Sequence, residues 1–242
     1  MEPVGSKNSL SEEVHARLVD AMCSGALPPG TLLRQEALAA ELNVSRQPII
    51  QALGFLRRDG LIEPAGRRGY KVTAVDVDLV RHVYDLRAAF DGLAARLAAN
   101  APAADRKDAL AAEIAEGDAA LESGDTSALV AADISFHQAL YALSGNPLLP
   151  DASAAVWRQV RRVMHAVLEK HDARKAVWTE HRAIADAVRT GDSAAAERAA
   201  ASHARDAADR LVAWMATPQN GTTKIDNKET LPSDYRFGSV GG

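Results

Sequence analysis

The sequence predicts a mainly α chain in two parts: three helices closed by a β-hairpin, then an all-α bundle of about six helices. Three observations predict it. Alanine makes up roughly one residue in five, well above ordinary usage, and has the highest helix propensity. Apolar residues recur at helical spacing over nearly the whole chain. Strand-prone runs around a glycine-rich turn occur once, between Leu61 and Thr73.

The elements follow in order. Leu10, Val14, Leu18 and Met22 form one apolar stripe, with Glu12 and Glu13 in the first turn, where the helix dipole favours acid. Gly25 and Pro28-Pro29-Gly30 stop this helix. A second helix reads from Arg34 to Leu42, with Leu38 and Leu42 inward and Asn43 at its end. A third reads from Ser45 to Asp59: Ser45 suits the N-cap, Pro48 the first turn and Gly60 the C-terminal stop. Leu61-Ile62-Glu63 and Tyr70-Lys71-Val72-Thr73 then flank the turn. Beyond Asp76 the spacing predicts helices over about 78–99, 103–122, 126–143, 148–171, 173–189 and 193–216. The polar stretch 218–242 reads as a disordered tail, so the expected domains are 9–75 and 76–217.

With 242 residues, 47% of them hydrophobic and 25% charged, the composition is globular. No apolar run approaches the roughly 18 residues that span a bilayer, and the start lacks a signal-peptide pattern, so the expected location is the cytoplasm with no membrane partner. The single cysteine, Cys23, excludes an intrachain disulfide and a cysteine-based metal cluster. The net charge of −4 does not advertise a nucleic-acid binder. Its distribution does: Arg46, Arg57, Arg58, Arg67, Arg68 and Lys71 face only Asp59 and Glu63 within one short stretch.

Three helices followed by a hairpin is the order of a winged helix-turn-helix, which sets its third helix in a DNA major groove. Ser45, Arg46 and Gln47 stand at the N-terminus of that helix, where side chains reach base edges. Arg67, Arg68 and Lys71 stand on the hairpin, where a wing meets the DNA backbone or minor groove. The low aromatic content, 5%, gives no stacking platform for single strands.

A second constellation lies in the helical part. Asp133 and His137 are four apart and share a helix face. His181 and His203 flank the turn at Gly191 at about 15–18 Å each, so in an antiparallel hairpin they stand level. Three imidazoles and a carboxylate suit a divalent transition metal such as Zn, Ni, Mn or Co. On spacing alone they are equally readable as unrelated helical residues. His15, His82, His165 and His171 read as ordinary surface histidines.

The run Ala26-Leu27-Pro28-Pro29-Gly30-Thr31, then Leu38-Ala39, Asn43-Val44-Ser45-Arg46-Gln47-Pro48, Ala52-Leu53, Asp59-Gly60-Leu61-Ile62 and Arg68-Gly69-Tyr70-Lys71-Val72, resembles the GntR winged-helix domain. That resemblance implies DNA contacts from Arg34 and Arg46 and a wing turn at Gly69. It breaks at Ile50-Gln51, where the family usually carries Arg-Glu. Ile50 can pack on a thymine methyl and Gln51 can read adenine. The helical part, with Asp133, His137, Gly145-Asn146, Glu180-His181 and His203 in order, resembles the FCD ligand-binding domain of the FadR subfamily. This implies a metal on Asp133, His137, His181 and His203, holding a small carboxylate effector, with Asn146 in the effector site. Arg87 matches an early-helix arginine that pairs with that carboxylate. Read without the resemblance, it is a helix-surface ion pair with Asp91.

The expected function is a regulator of transcription, not an enzyme. It binds a double-stranded operator as a homodimer, is a repressor by default, and answers to a small organic acid. The alternatives are a metal sensor, with the ion as effector, and a metal-dependent hydrolase.

Overall fold

A computed structural model describes residues 10–66, 69–168 and 174–217, with the side chains of 165–168 excepted. Arg67, Arg68, His171 and the stretch 218–242 lie outside the described residues, as does the side chain of His165. The chain divides into two compact units, with the break after Val75.

The first unit holds α1 (Leu10–Cys23), β1 (Leu32–Leu33), α2 (Gln35–Glu41), α3 (Arg46–Arg58), β2 (Ile62–Pro64) and β3 (Tyr70–Val72). The hairpin pairs β2 with β3, Ile62 opposite Val72. The sequence reading missed β1, which pairs antiparallel with the other side of β3, Leu32 opposite Lys71. Two residues are too few to show a period of two. Its service is to seat the wing: a Cβ on Gly69, at φ +104°, would lie 2.7 Å from the carbonyl oxygen of Leu33. Val14, Leu18, Leu38, Ile49, Leu53, Leu56 and Val72 fill one apolar core. Ser45 does cap α3 by position, but its side chain makes no capping hydrogen bond.

The second unit holds α4 (Val77–Ala99), α5 (Ala103–Arg106), α6 (Ala111–Ser123), α7 (Thr126–Leu143), α8 (Leu149–Leu168), α9 (Arg174–Thr190) and α10 (Ser193–Met215). The helix expected over 103–122 is thus two, broken between Arg106 and Ala111. Asp76, Asp125 and Asp192 accept hydrogen bonds from the first-turn amides of α4, α7 and α10. The alanines do more than favour helix. Ala94, Ala95 and Ala98 of α4 meet Ala196 and Ala200 of α10 in one core, and Gly92 lies against the Glu197 carbonyl. Small side chains let these two long helices run close and antiparallel, with Arg87 level with His203 and Arg96 with Glu197.

Candidate metal centre and DNA-facing helix

The inward stripe of α4 runs Val80, Tyr84, Arg87, Ala88, Asp91, Ala95 and Ala98, all buried. Two charged residues on an otherwise apolar stripe must find partners inside. Arg87 Nε donates to Asp91 Oδ2 at 3.2 Å, and Tyr141 Oη donates to Asp91 Oδ1 at 2.7 Å. The ion pair read from the sequence therefore exists, but it is buried rather than on a helix surface: Arg87 is 1% exposed and Asp91 fully buried. Packing against α7 and α10 covers it.

Around this pair the structure brings together Asp133, His137, His181 and His203, all buried, with one potential ligand atom of each within 4.8 Å of the others. The register across the Gly191 turn puts His181 Nε2 3.3 Å from His203 Nε2. Asp133 Oδ1 lies 3.4 Å from His181 Nε2. Arg87 Nη2 donates to His137 Nε2 at 2.6 Å and to His203 Nε2 at 3.3 Å. His137 Nδ1 lies 3.2 Å from Asp91 Oδ2, off the line of a hydrogen bond. Phe136 stacks on His181 at 4.4 Å and Trp178 meets its edge at 4.6 Å, giving the ring apolar walls.

Charge in this interior is strongly biased. Burial holds His181 well below its ordinary pKa, and the cationic forms of His203 and His137 and the Arg87 guanidinium push the same way. Burial likewise lowers His203, against the upward pull of Glu180. Both rings are thereby kept neutral, the form that ligates metal. Burial alone would raise Asp91, but His137, Arg87 and Tyr141 overcome it and hold the carboxyl far below its usual range. For Arg87 burial disfavours the charge, and Asp133 and Asp91 more than restore it. Burial pushes Tyr84 up to about 12, so its hydroxyl stays protonated.

The sequence places Glu180 beside His181 but does not show its role toward His203, nor that of Arg210. Glu180 Oε2 accepts from His203 Nδ1 at 2.8 Å, which fixes the ring so that Nε2 carries the inward lone pair. Arg210 Nη1 and Nη2 donate to Glu180 at 2.8 and 2.9 Å. Burial would raise Glu180, but His203 and Arg210 hold it ionised with a pKa of about 2. Glu180 adjoins His181 in the sequence, Arg210 stands two turns after His203, and only the α9–α10 pairing joins the two.

The donor set passes the chemical test for a divalent cation. Three imidazoles converge, those of His181 and His203 kept neutral by burial, and Asp133 Oδ2 and His181 Nδ1 are buried without a hydrogen-bond partner. Beside the cluster opens a cavity of about 730 Å³ of empty space, part of it reaching solvent. Arg87, Asp133, His203, Arg174 and Arg210 bring charged or polar groups to its lining, and Leu129, Val130, Met164, Val177, Trp178 and Leu211 supply apolar wall. Asn146 is not among the lining residues. Its Oδ1 accepts from Leu148 N at 3.1 Å and so caps the turn into α8.

In the first unit, Arg34 is exposed at the N-cap of α2. Arg46, Gln47, Ile50 and Gln51 are exposed on one face of α3. Arg46 Nη2 donates to Glu36 Oε1 at 2.6 Å, and Lys71 Nζ pairs with Glu63 at 2.9 Å. Exposed pairs of this kind are weak and yield readily to phosphate.

A winged helix joined to an all-helical bundle is the build of a two-unit DNA-binding regulator. Comparison with known families agrees. Residues 10–72 match the profile described as bacterial regulatory proteins, gntR family, and residues 82–206 match the FCD domain. The chain belongs to the GntR family of transcriptional regulators, in its FCD-bearing form. It is 30% identical over 204 residues, 82% of this chain and 87% of the relative, to the "Probable D-xylose utilization operon transcriptional repressor" of Paenarthrobacter nicotinovorans. It is 26% identical over 185 residues, 76% of this chain and 81% of the relative, to the transcriptional repressor RspR of Escherichia coli. The solved E. coli McbR/YncC shares the fold, with a TM-score of 0.71 at 21% identity over 84% of this chain and 97% of that one. Among the described residues no helix is long and apolar enough to cross a membrane.

Proposed function

We propose that this regulator holds one divalent transition metal per chain on Asp133, His137, His181 and His203 and answers to a small carboxylate with an apolar body. The observation that supports this reading is the buried four-residue donor set, two of whose members, Asp133 and His203, line a cavity together with Arg87 and a largely apolar wall. When bound, such an ion supplies a Lewis-acid centre for oxygen donors. Arg87, charged and aimed at the same place, offers a guanidinium to a carboxylate. Glu180 and Arg210 keep His203 in its ligating tautomer.

The DNA contacts we assign to Arg34, Ser45, Arg46, Gln47, Gln51, Gly69 and Lys71, with Arg67 and Arg68 on the wing. We assign the DNA-binding domain to 9–75 and the effector domain to 76–217. Two copies of the chain meet a two-fold operator, as half-site recognition requires. The acid acts by binding one arrangement of the paired DNA-binding units better than another and shifting that equilibrium. Release from the operator makes the protein a repressor acting in the cytoplasm.

Hydrolysis is the weaker reading, because the carboxylates beside the donor set are both committed: Asp91 to Arg87 and Tyr141, and Glu180 to His203 and Arg210. His203 and Arg210 hold Glu180 ionised against its burial, with a pKa of about 2, which makes it a weak base, and Arg210 fastens it through two hydrogen bonds.

The test is fluorescence anisotropy of the full-length protein on duplex DNA from upstream of its own gene, with a scrambled duplex as control. It is read without metal, with Zn, Ni, Mn or Co, and then with a panel of carboxylic acids. The proposal expects selective binding that metal alone leaves in place and that an acid weakens only when metal is present. Dissociation by metal alone would replace it with a metal sensor. Indifference to every metal would remove the metal from the account.

A further inference from the structure

Among the described residues four large hydrophobic side chains are exposed, and one of them, Ile50 at 45%, stands on the solvent face of α3. That face runs Gln47, Ile50, Gln51 and Gly54, each exposed and spaced at helical turns. Its inward side, Pro48, Ile49, Ala52, Leu53 and Leu56, is buried in the core, so no rotation of the helix hides Ile50. The cations of α3 stand at its ends, at Arg46 and at Arg57-Arg58. The centre of the face therefore offers two amides, one branched hydrocarbon and a glycine.

We infer that Ile50, flanked by Gln47 and Gln51, reads A·T pairs in the major groove, with the Ile50 side chain packed on the C5-methyl group of thymine. This rests on the reading of the first unit as an operator-binding module. The chemistry is direct. An amide bonds adenine through N6 and N7, and thymine is the base that shows a methyl group in the groove. No group at the centre of the face can make the two-pronged contact of arginine with guanine. Gln47 and Gln51 lie about 6 Å apart along the helix axis, close to two base steps of about 3.4 Å. Ile50 lies between them. A β-branched side chain in a helix holds one rotamer, so its hydrocarbon tip is presented at little entropic cost. A Cβ built on Gly54 would meet nothing within 4 Å, and the missing side chain lets the helix approach the bases closely.

The test takes the full-length protein through selection from random duplexes. Each thymine of the enriched sequence is then replaced singly by deoxyuridine, which removes only the methyl group. Wild-type protein is expected to lose about fourfold in affinity, the worth of one buried methyl, at one or two positions per half-site. Ile50→Ala, a change at an exposed position, is expected to bind thymine and uracil duplexes equally. A flat uracil scan on an enriched sequence would overturn the inference and leave operator binding standing. So would a uracil effect that survives in Ile50→Ala. Failure to enrich any sequence, with equal binding to scrambled DNA, would instead sink the operator reading beneath it.

Discussion

The two units solve opposite problems. Among the described residues of the first unit the fully buried residues are apolar but for Ser11 and Thr31, and of the candidates for DNA contact Arg34, Ser45, Arg46, Gln47 and Gln51 are exposed while Gly69 and Lys71 are half-buried. In the second unit Arg87, Asp91, Asp133, His137, Arg162, His181 and His203 are all buried. One unit is a solid core that displays chemistry on its outside; the other surrounds its chemistry with helices. Surface substitutions in the first should therefore change function without stability. Substitutions inside the second should change both, because a buried charge that loses its partner is expensive.

The largest contrast comes from Asp91→Ala. It leaves the buried Arg87 guanidinium with Asp133 as its one remaining carboxylate, takes the acceptor from Tyr141, and is expected to cost about 3 kcal/mol of unfolding free energy. Urea denaturation of the full chain measures it, and a loss under 1 kcal/mol would mean that the interior is wetter than its packing shows. Glu180→Ala leaves the four donors in place but frees His203 Nδ1. Affinity for metal should fall about ten- to a hundredfold, as measured by competition with a chelating dye. An unchanged affinity would show that Glu180 serves only Arg210. Arg46→Ala should lower operator affinity by about 1–3 kcal/mol with metal content intact and stability within about 0.5 kcal/mol of wild type. A destabilised variant would blur the contrast, since Arg46 is 65% exposed and its tie to Glu36 is a surface one.

Acid gives the smallest and broadest effect. Glu180, at about 2 in the folded chain against 4.5 ordinarily, contributes stability that is present above pH 4.5 and lost as pH falls toward 2. His181 and His203 work in the same direction at higher pH. Below their ordinary 6.5 the unfolded chain binds protons that these buried rings refuse, so stability begins to fall there. Metal occupancy of the folded chain should hold below 6.5, since burial keeps His181 and His203 neutral there, and fall only where those rings protonate at lower pH. Thermal melts across pH 3–8, with and without chelator, follow both changes. A melting temperature flat from pH 8 down to pH 5 would contradict a buried neutral cluster.

The sequence made the two units legible to different degrees, for physical reasons. Helix boundaries in the first unit follow from local chemistry, with proline and glycine breaks and capping positions, so α2 and α3 fall within a residue of expectation. β1 did not show, because a two-residue strand owes its existence to β3. In the second unit Asp133 with His137 is a same-helix spacing, and His181 with His203 follows from one turn and the rise per residue. What spacing could not supply was depth. Arg87 and Asp91 at four apart look the same on a surface and in an interior; the apolar residues above and below them on α4 were the available signal. Arg210 pairs with Glu180 across thirty positions, and only the α9–α10 contact joins them. Asn146 shows the reverse: it lies next to the donor set in sequence order, yet its side chain closes a turn.

The most direct test of the account is metal stoichiometry by elemental analysis after dialysis, on wild type and His181→Ala side by side, with operator anisotropy on the same samples. The account predicts one transition-metal ion per wild-type chain, far less in the variant, and equal DNA binding without effector. Equal metal content in both, or none in either under saturating supply, would contradict a buried metal centre built from Asp133, His137, His181 and His203.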